Sequence, residues 1–351
     1  MKKKMVLASL TAMSALMLGA CGQEANGENK ENKELVISTF GLSEDVMQED
    51  VFVPFEEEYG VDIVVETGTS SERYTKFESN PNSTIDIIDL PQSNASQGAA
   101  EGLFEEIDTE KIPNLADLID SAKVLSENGS GAAYTVNSIG IIYDEEAAGM
   151  KIDEFSDLWD PSLEGKISIP DIATTFGPSM MYVASEYKGV DITTDNGAAA
   201  FEGLEELAPN VVKTYSKSSD LANMFQSGEI VAAVVGDFAI PMISEAQPSV
   251  QYVVPLSGTY ANFNTVNINT NSENKEMAYN FVNWRLSEEL QMITAASLNE
   301  APTNENVELS GEIAENKTYG EIAELTKLVD FDFVNTQMDD WIDMWNRTMN
   351  Q

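Results

Sequence analysis

The sequence predicts an α/β protein: two doubly wound lobes, closely coupled, with a cleft between them. Three observations predict this. Short β-branched runs alternate with helical patterns along most of the chain, which implies largely parallel sheets covered on both faces. The alternation falls into two successive blocks of similar length, separated near residues 132–143. The Pro, Gly and Ser stretches between blocks are too short for free linkers, so the two lobes must be closely coupled.

The first strand is carried by Leu35, Val36 and Ile37 and breaks at Phe40 and Gly41. Ser43 is placed to cap a helix with Glu44 and Asp45 in its first turn. Val46, Val51, Phe52 and Phe55 follow at roughly helical spacing until Gly60 ends it. Residues 61–65 form the next strand and complete a βαβ unit. A helix over 70–78, a strand over 85–90 and a helix over 93–101, stopped by Gly102, repeat the pattern. The second block opens with a strand ending in residues 138–143 (SIGIIY), then a strand over 166–170 and helices over 177–187 and 196–207. A strand over 211–214, a helix over 219–227 and a strand over 230–235 come next. Strands over 250–255 and 263–268 precede a helix from Ser272 to about Leu286. The last strong element, over 334–349, carries Met338, Trp341, Ile342 and Trp345 at helical spacing, which places the tryptophans in a core.

Composition narrows the function. The chain of 351 residues has 60 Asp and Glu against 19 Lys and Arg, a net charge of −41, which repels nucleic acid and anionic headgroups. An acidic surface is equally what keeps an exported protein soluble, so charge alone names no ligand. There is no histidine and one cysteine, Cys21, which excludes Ser-His-Asp and Cys-His catalysis, disulfides and the commonest metal ligand. With 42% hydrophobic residues, core packing alone can hold two domains of ordinary size, with no metal and no cofactor expected.

The first twenty-one residues read as an export signal: Lys2, Lys3 and Lys4, an apolar run too short to span a bilayer comfortably, and small residues before Cys21. The other reading is an ordinary cleaved signal with a stray cysteine. Residues 22–33 (GQEANGENKENK) contain no large apolar residue and form a tether, reaching about 20 Å as flexible coil. The motif Leu18-Gly19-Ala20-Cys21 resembles the lipobox of bacterial lipoproteins. That resemblance implies cleavage before Cys21, a diacylglycerol thioether on its sulfur, and anchoring to the outer face of the cell membrane, for which two acyl chains suffice.

Residues 154–171 (EFSDLWDPSLEGKISIPD) resemble the opening of the second lobe in solute-binding proteins of ABC importers, the type that includes the spermidine/putrescine receptors. Residues 86–108 are similar to that family's third strand and following helix, residues 138–143 to its crossover, and residues 263–286 to its return crossing and helix. The resemblance implies a type II periplasmic-binding-protein-like fold, its two lobes joined by crossing strands that act as hinges around a ligand cleft. Lobe 1 would comprise 34–138 plus about 262–305, and lobe 2 would comprise 139–261 plus about 306–351. It also implies no enzymatic activity, and a monomer delivering a small organic solute to an ABC permease and its ATPase subunits.

Ligands of open α/β sheets sit beyond the carboxyl ends of strands. The candidate binding residues are therefore Phe40 and Ser43 after the first strand, Gln92, Ser93 and Asn94 after the third, and Asp171, Thr174 and Thr175 after the first strand of the second block. Asp237 follows the strand over 230–235, and Tyr260, Asn262 and Asn264 stand at the return crossing. Carried over residue by residue, the receptors' carboxylate after the first strand of lobe 2 falls on Asp171, and their second carboxylate on Thr174. Their aromatic and acid at the return crossing fall on Asn262 and Asn264, and their aromatic after the third strand falls on Ser93. A polyamine needs an acid for each buried ammonium, so one acid, or two with Asp237, points to a small organic monocation or zwitterion. Asp171 could instead cap a helix starting near Thr174.

Other readings stay open. Ferric-ion receptors of related fold use an adjacent tyrosine pair, absent here, although Tyr134, Tyr143, Tyr252 and Tyr260 could lie near the hinge; a thiamine-type receptor is another alternative. Arg73, Arg285 and Arg347 are the only arginines, which argues against bidentate capture of phosphate, sulfate or a dicarboxylate, and Arg73 is expected on the surface. A carboxylate-based extracellular hydrolase would need paired acids. Acid runs such as Glu56, Glu57 and Glu58 read instead as solvated helix faces. A sensor or adhesin that kept the cleft without a permease is the remaining class.

Overall fold

The computed structural model describes residues 34–349; the expected export signal, lipid anchor at Cys21 and tether lie outside them. Among these residues no helix is long and apolar enough to cross a membrane.

Among the described residues eleven strands join in one hydrogen-bonded sheet. They are β1 (Glu34–Phe40), β2 (Asp62–Gly68), β3 (Ile87–Pro91), β4 (Ala132–Tyr143), β5 (Ile167–Pro170) and β6 (Val211–Tyr215). The rest are β7 (Ala232–Gly236), β8 (Gln251–Val253), β9 (Thr259–Ile268), β10 (Ala301–Pro302) and β11 (Thr326–Leu328). The order is β2-β1-β3-β9-β4-β7-β5-β6, with β8 and β10 on β4 and β11 on β9. In each half the first strand lies between the second and third, and both of these run parallel to it. Successive crossovers therefore leave in opposite directions from β1 and from β5, which opens a crevice at their carboxyl ends.

The strands that join the halves are β4 and β9. The first part of β4 pairs with β9 from Ala132↔Val266 to Ser138↔Ala261, and the remainder pairs with β7 from Ile139↔Gly236 to Tyr143↔Ala232. Its side chains divide in the same way. Tyr134 and Val136 enter a core shared with Leu35, Ile37, Phe55, Phe263 and Phe281, whereas Ile139, Ile141 and Tyr143 enter one shared with Ile167, Met180, Leu204 and the buried Trp341 and Trp345. Two smaller apolar clusters lie under the helices Ser218–Ser227 and Ser70–Ser79.

Several local expectations are corrected. Ser43 does not cap its helix: it takes a left-handed conformation (φ 52°, ψ 43°) and its side chain makes no capping bond. The helical stretch it precedes is not uniform, because a π-helical segment, Gln48–Phe52, separates Glu44–Met47 from Val53–Tyr59. Strand β9 begins at Thr259, not Phe263. The polar alternation of Tyr260, Asn262 and Asn264 hides a strand whose other face, Ala261 and Phe263, is buried. The helix Asp120–Glu127 was not anticipated, nor was Glu288–Ser297, which is capped by Ser287 accepting from Leu290 N–H at 3.2 Å. Asp237 starts a helical turn that continues into Ile240–Ala246.

Candidate functional site

Register brings the carboxyl ends of four strands to one crevice. Phe40 at the end of β1 pairs with Gly68 at the end of β2, and Pro170 at the end of β5 pairs with Tyr215 at the end of β6. Between them the crossing strands set Asn137 opposite Asn262 and Thr135 opposite Asn264. Two adjoining chambers result, sharing Phe40, Leu42, Thr175, Phe176 and Phe238 as walls.

The smaller chamber, about 130 Å³, is aromatic with one acid: Phe40, Tyr134, Phe176 and Phe238 line it with Glu300, Thr39, Thr135, Asn137, Asn262 and Asn264. Glu300 is held by Arg285, whose Nη2 donates to its Oε1 at 3.2 Å. Arg285 is 1% exposed, and its guanidinium lies 3.9 Å from the centre of the Tyr134 ring. Burial alone would lower the pKa of Arg285, but Glu300, Tyr134 and Asp89 more than offset this and raise it. Asp89 is pushed up by burial, against the pull of Arg285, the Thr39 hydroxyl donating to its Oδ2 at 2.6 Å, and Arg73. A buried network of opposite charges thus stands behind this chamber.

The larger chamber, about 510 Å³, is lined by hydroxyls: Thr67, Thr69, Ser70, Ser71, Thr174, Thr175, Ser216, Ser218 and Ser219, with Lys217 and Glu44. Three helices of ten or eleven residues begin on its rim: Ser70–Ser79, Gly177–Tyr187 and Ser218–Ser227. A Cβ on Gly177 would stand 2.3 Å from the Asp171 carbonyl and 2.4 Å from that of Ile172, so only glycine lets the middle helix start so close to the β5 loop. Few bonds link the two halves across the rim. Ser71 Oγ donates to the Ala173 carbonyl at 2.8 Å, and the Ser70 and Thr175 hydroxyls are 3.4 Å apart.

The structure brings Phe40, Ser43, Thr175, Asn262 and Asn264 together on the smaller chamber, and Thr174 joins Phe40 and Thr175 on the larger. The other candidates line neither. Asp171 turns back on its own loop, its Oδ1 accepting from Ala173 N–H at 3.1 Å and its Oδ2 from the Thr214 hydroxyl at 3.2 Å. The helix it was expected to cap starts at Gly177 instead. Asp237 is 1% exposed beneath the floor, its Oδ1 accepting from Asn137 Nδ2 at 2.8 Å and its Oδ2 from the Thr318 hydroxyl at 2.6 Å. Burial raises its carboxyl to about 6, against those hydrogen bonds. Tyr260 packs 5.2 Å from Tyr182. Gln92, Ser93 and Asn94 lie in the first turn of the helix Gln92–Ala100; Gln92 N–H donates to Asn262 Oδ1 at 3.3 Å and the Ser93 carbonyl accepts from Asn335 Nδ2 at 3.2 Å. Arg73 is buried, not on the surface: 4% exposed, it donates to the Asp89, Ser38 and Gly68 carbonyls.

Glu300, Thr135, Asn137, Phe238 and Lys217 line the chambers without having been candidates, whereas Tyr134 was weighed only as a tyrosine near the hinge and Phe176 closes the loop that supplied Asp171, Thr174 and Thr175. Asn137 and Thr135 were detectable as polar interruptions in a strand otherwise apolar. Lys217 stands just past the end of β6, a carboxyl terminus that the strand-end rule covers.

A family model for bacterial extracellular solute-binding proteins matches residues 50–321. The chain belongs to that family. It is 26% identical over 243 residues to spermidine/putrescine-binding periplasmic protein 1 of Haemophilus influenzae, covering 66% of this chain and 65%, just under two thirds, of that relative. It is 24% identical over 283 residues to the spermidine/putrescine-binding periplasmic protein of Escherichia coli K12, covering 78% and 80%. A solved ABC transporter protein from Clostridium perfringens ATCC 13124 superposes with a TM-score of 0.78 at 56% identity, covering 90% of this chain and all of that one. The fold is thus that of the type II periplasmic binding proteins, and the family comprises solute-binding proteins, not enzymes.

Proposed function

We propose that this solute-binding protein is the receptor of an ABC import system. It captures a small organic solute bearing an ammonium group in the crevice and delivers it to a membrane permease with its ATPase subunits. One observation carries the reading: Glu300, the carboxylate that Arg285 Nη2 holds at 3.2 and 3.5 Å, stands with four aromatic rings on a cavity between the carboxyl ends of the strands of the two halves. An ammonium there meets an acid and ring faces together. Among the described residues Glu300 is the only acid lining this chamber, so a second buried ammonium would go unpaired, at high cost. That disfavours a long polyamine and favours a monocation or zwitterion. The crossings β4 and β9 would serve as hinges between a lobe of residues 34–138 plus about 262–305 and one of 139–261 plus about 306–351. The lipid on Cys21 would hold a monomer at the outer face of the membrane, within a tether's reach of its permease.

A thermal-shift screen of diamines, monoamines, betaines, amino acids and thiamine tests this. A solute binding only the folded state at a hundred times its Kd adds about 2.7 kcal/mol of stability. Amines should stabilise the wild type and not Glu300→Gln; stabilisation by neutral sugars or metal ions alone would count against it.

A further inference from the structure

We infer that the solute is a zwitterion whose anionic group, a phosphonate or a carboxylate, lies in the hydroxyl-lined chamber while its ammonium lies at Glu300. This rests on the crevice being the binding site and adds the chemistry of its second half. The two chambers share walls but differ in charge. One holds Glu300 among aromatic rings, and the other holds Lys217 among serines and threonines. In a chain of net charge −41 a cation on a cavity wall is conspicuous, and Lys217 makes no ion pair within 4 Å among the described residues. The acids nearby are Glu44, which lines the chamber, and Glu72, whose Oε2 is taken by Thr69 N–H and Oγ at 3.1 and 2.8 Å; those bonds lower the Glu72 carboxyl first, and the charge of Lys217 adds to the lowering.

Arg73 is an independent observation. It is 4% exposed, and its Nη2 has no hydrogen-bond partner among the described residues. Its guanidinium lies 4.6 Å from the centre of the Phe40 ring and its Nε donates to the Gly68 carbonyl at 3.2 Å, and both Phe40 and Gly68 line this chamber. A buried cation with an unspent donor therefore packs against two residues of this wall, its charge opposed by the buried Asp89. The scarcity of arginine argued against anion capture; Lys217 on the wall and Arg73 behind it reverse that argument for a single anionic group.

Isothermal titration of the purified protein with a matched series tests the inference: 3-aminopropylphosphonate, 4-aminobutyrate, butylamine, propylphosphonate and 1,4-diaminobutane. The aminophosphonate or the amino acid should bind at least tenfold tighter than butylamine or the diamine, and whichever of the two binds tighter identifies the anion. Lys217→Ala, at an exposed position, should lower the zwitterion-to-butylamine affinity ratio at least tenfold, and Lys217→Arg should retain most of it. Butylamine or the diamine binding as tightly as both zwitterions, or a ratio unmoved by Lys217→Ala, would overturn the inference while leaving the crevice reading intact. Absence of binding by every amine in the series would overturn both.

Discussion

The two ends of the crevice are built by different means. At the aromatic end, specificity rests on groups far apart in sequence: Glu300 precedes β10, Arg285 ends a helix, Tyr134 and Asn137 lie in β4, and buried charges hold one another in place. At the hydroxyl end, the groups come from short loops after β2, β5 and β6, each set by local turn chemistry. The first end should be rigid and costly to alter, and the second tolerant and tunable. Substitutions that reverse this ranking would break the comparison.

The largest effect is expected from Arg285→Met. It would leave Glu300 and the buried Asp89 without their shared cation, and removing one partner of a buried ion pair costs about 3–5 kcal/mol. Urea denaturation should show that loss; a change below about 1 kcal/mol would mean that the network is solvated. Glu300→Gln keeps the shape and removes the charge. It should weaken an amine solute by about 2 kcal/mol or more in calorimetry, and because it also leaves the buried Arg285 without its first partner, urea denaturation should show a loss of apo stability beside it.

Asp237 sharpens the comparison through pH. Its carboxyl titrates near 6 in the folded protein against 3.8 for an unperturbed group, so the folded state holds the proton more tightly. This group's contribution is therefore fully present below about pH 4 and declines as pH rises toward 6, by up to about 3 kcal/mol. Melting curves between pH 4 and 7 should show that decline for the wild type, and the slope should flatten in Asp237→Asn. The smallest effect belongs to Asp171. Because its carboxylate serves its own loop, Asp171→Asn should cost about 1 kcal/mol of stability and change solute affinity less than twofold. A tenfold loss of affinity would instead return Asp171 to the binding site.

The same contrast explains what the sequence could disclose. Strand and helix periodicity, and glycines such as Gly60, made the alternating order readable, and the strand-end rule found Phe40, Thr175, Asn262 and Asn264 because position along a strand is local information. Glu300 was not readable, because nothing in the residues around it states that Arg285 and Tyr134 fold against it. Asp171 and Asp237 line neither chamber for a related reason. A carboxylate after a strand can turn outward to a ligand or inward to its own loop or a buried amide, and only the partners Thr214, Asn137 and Thr318 decide which.

Native mass spectrometry of the protein purified without denaturant tests the central claim most directly. A receptor with one acid in an aromatic chamber should retain one small amine-bearing solute per chain, and Glu300→Gln should lose it. A retained solute without an amine, or equal retention by the Glu300→Gln variant, would contradict the account.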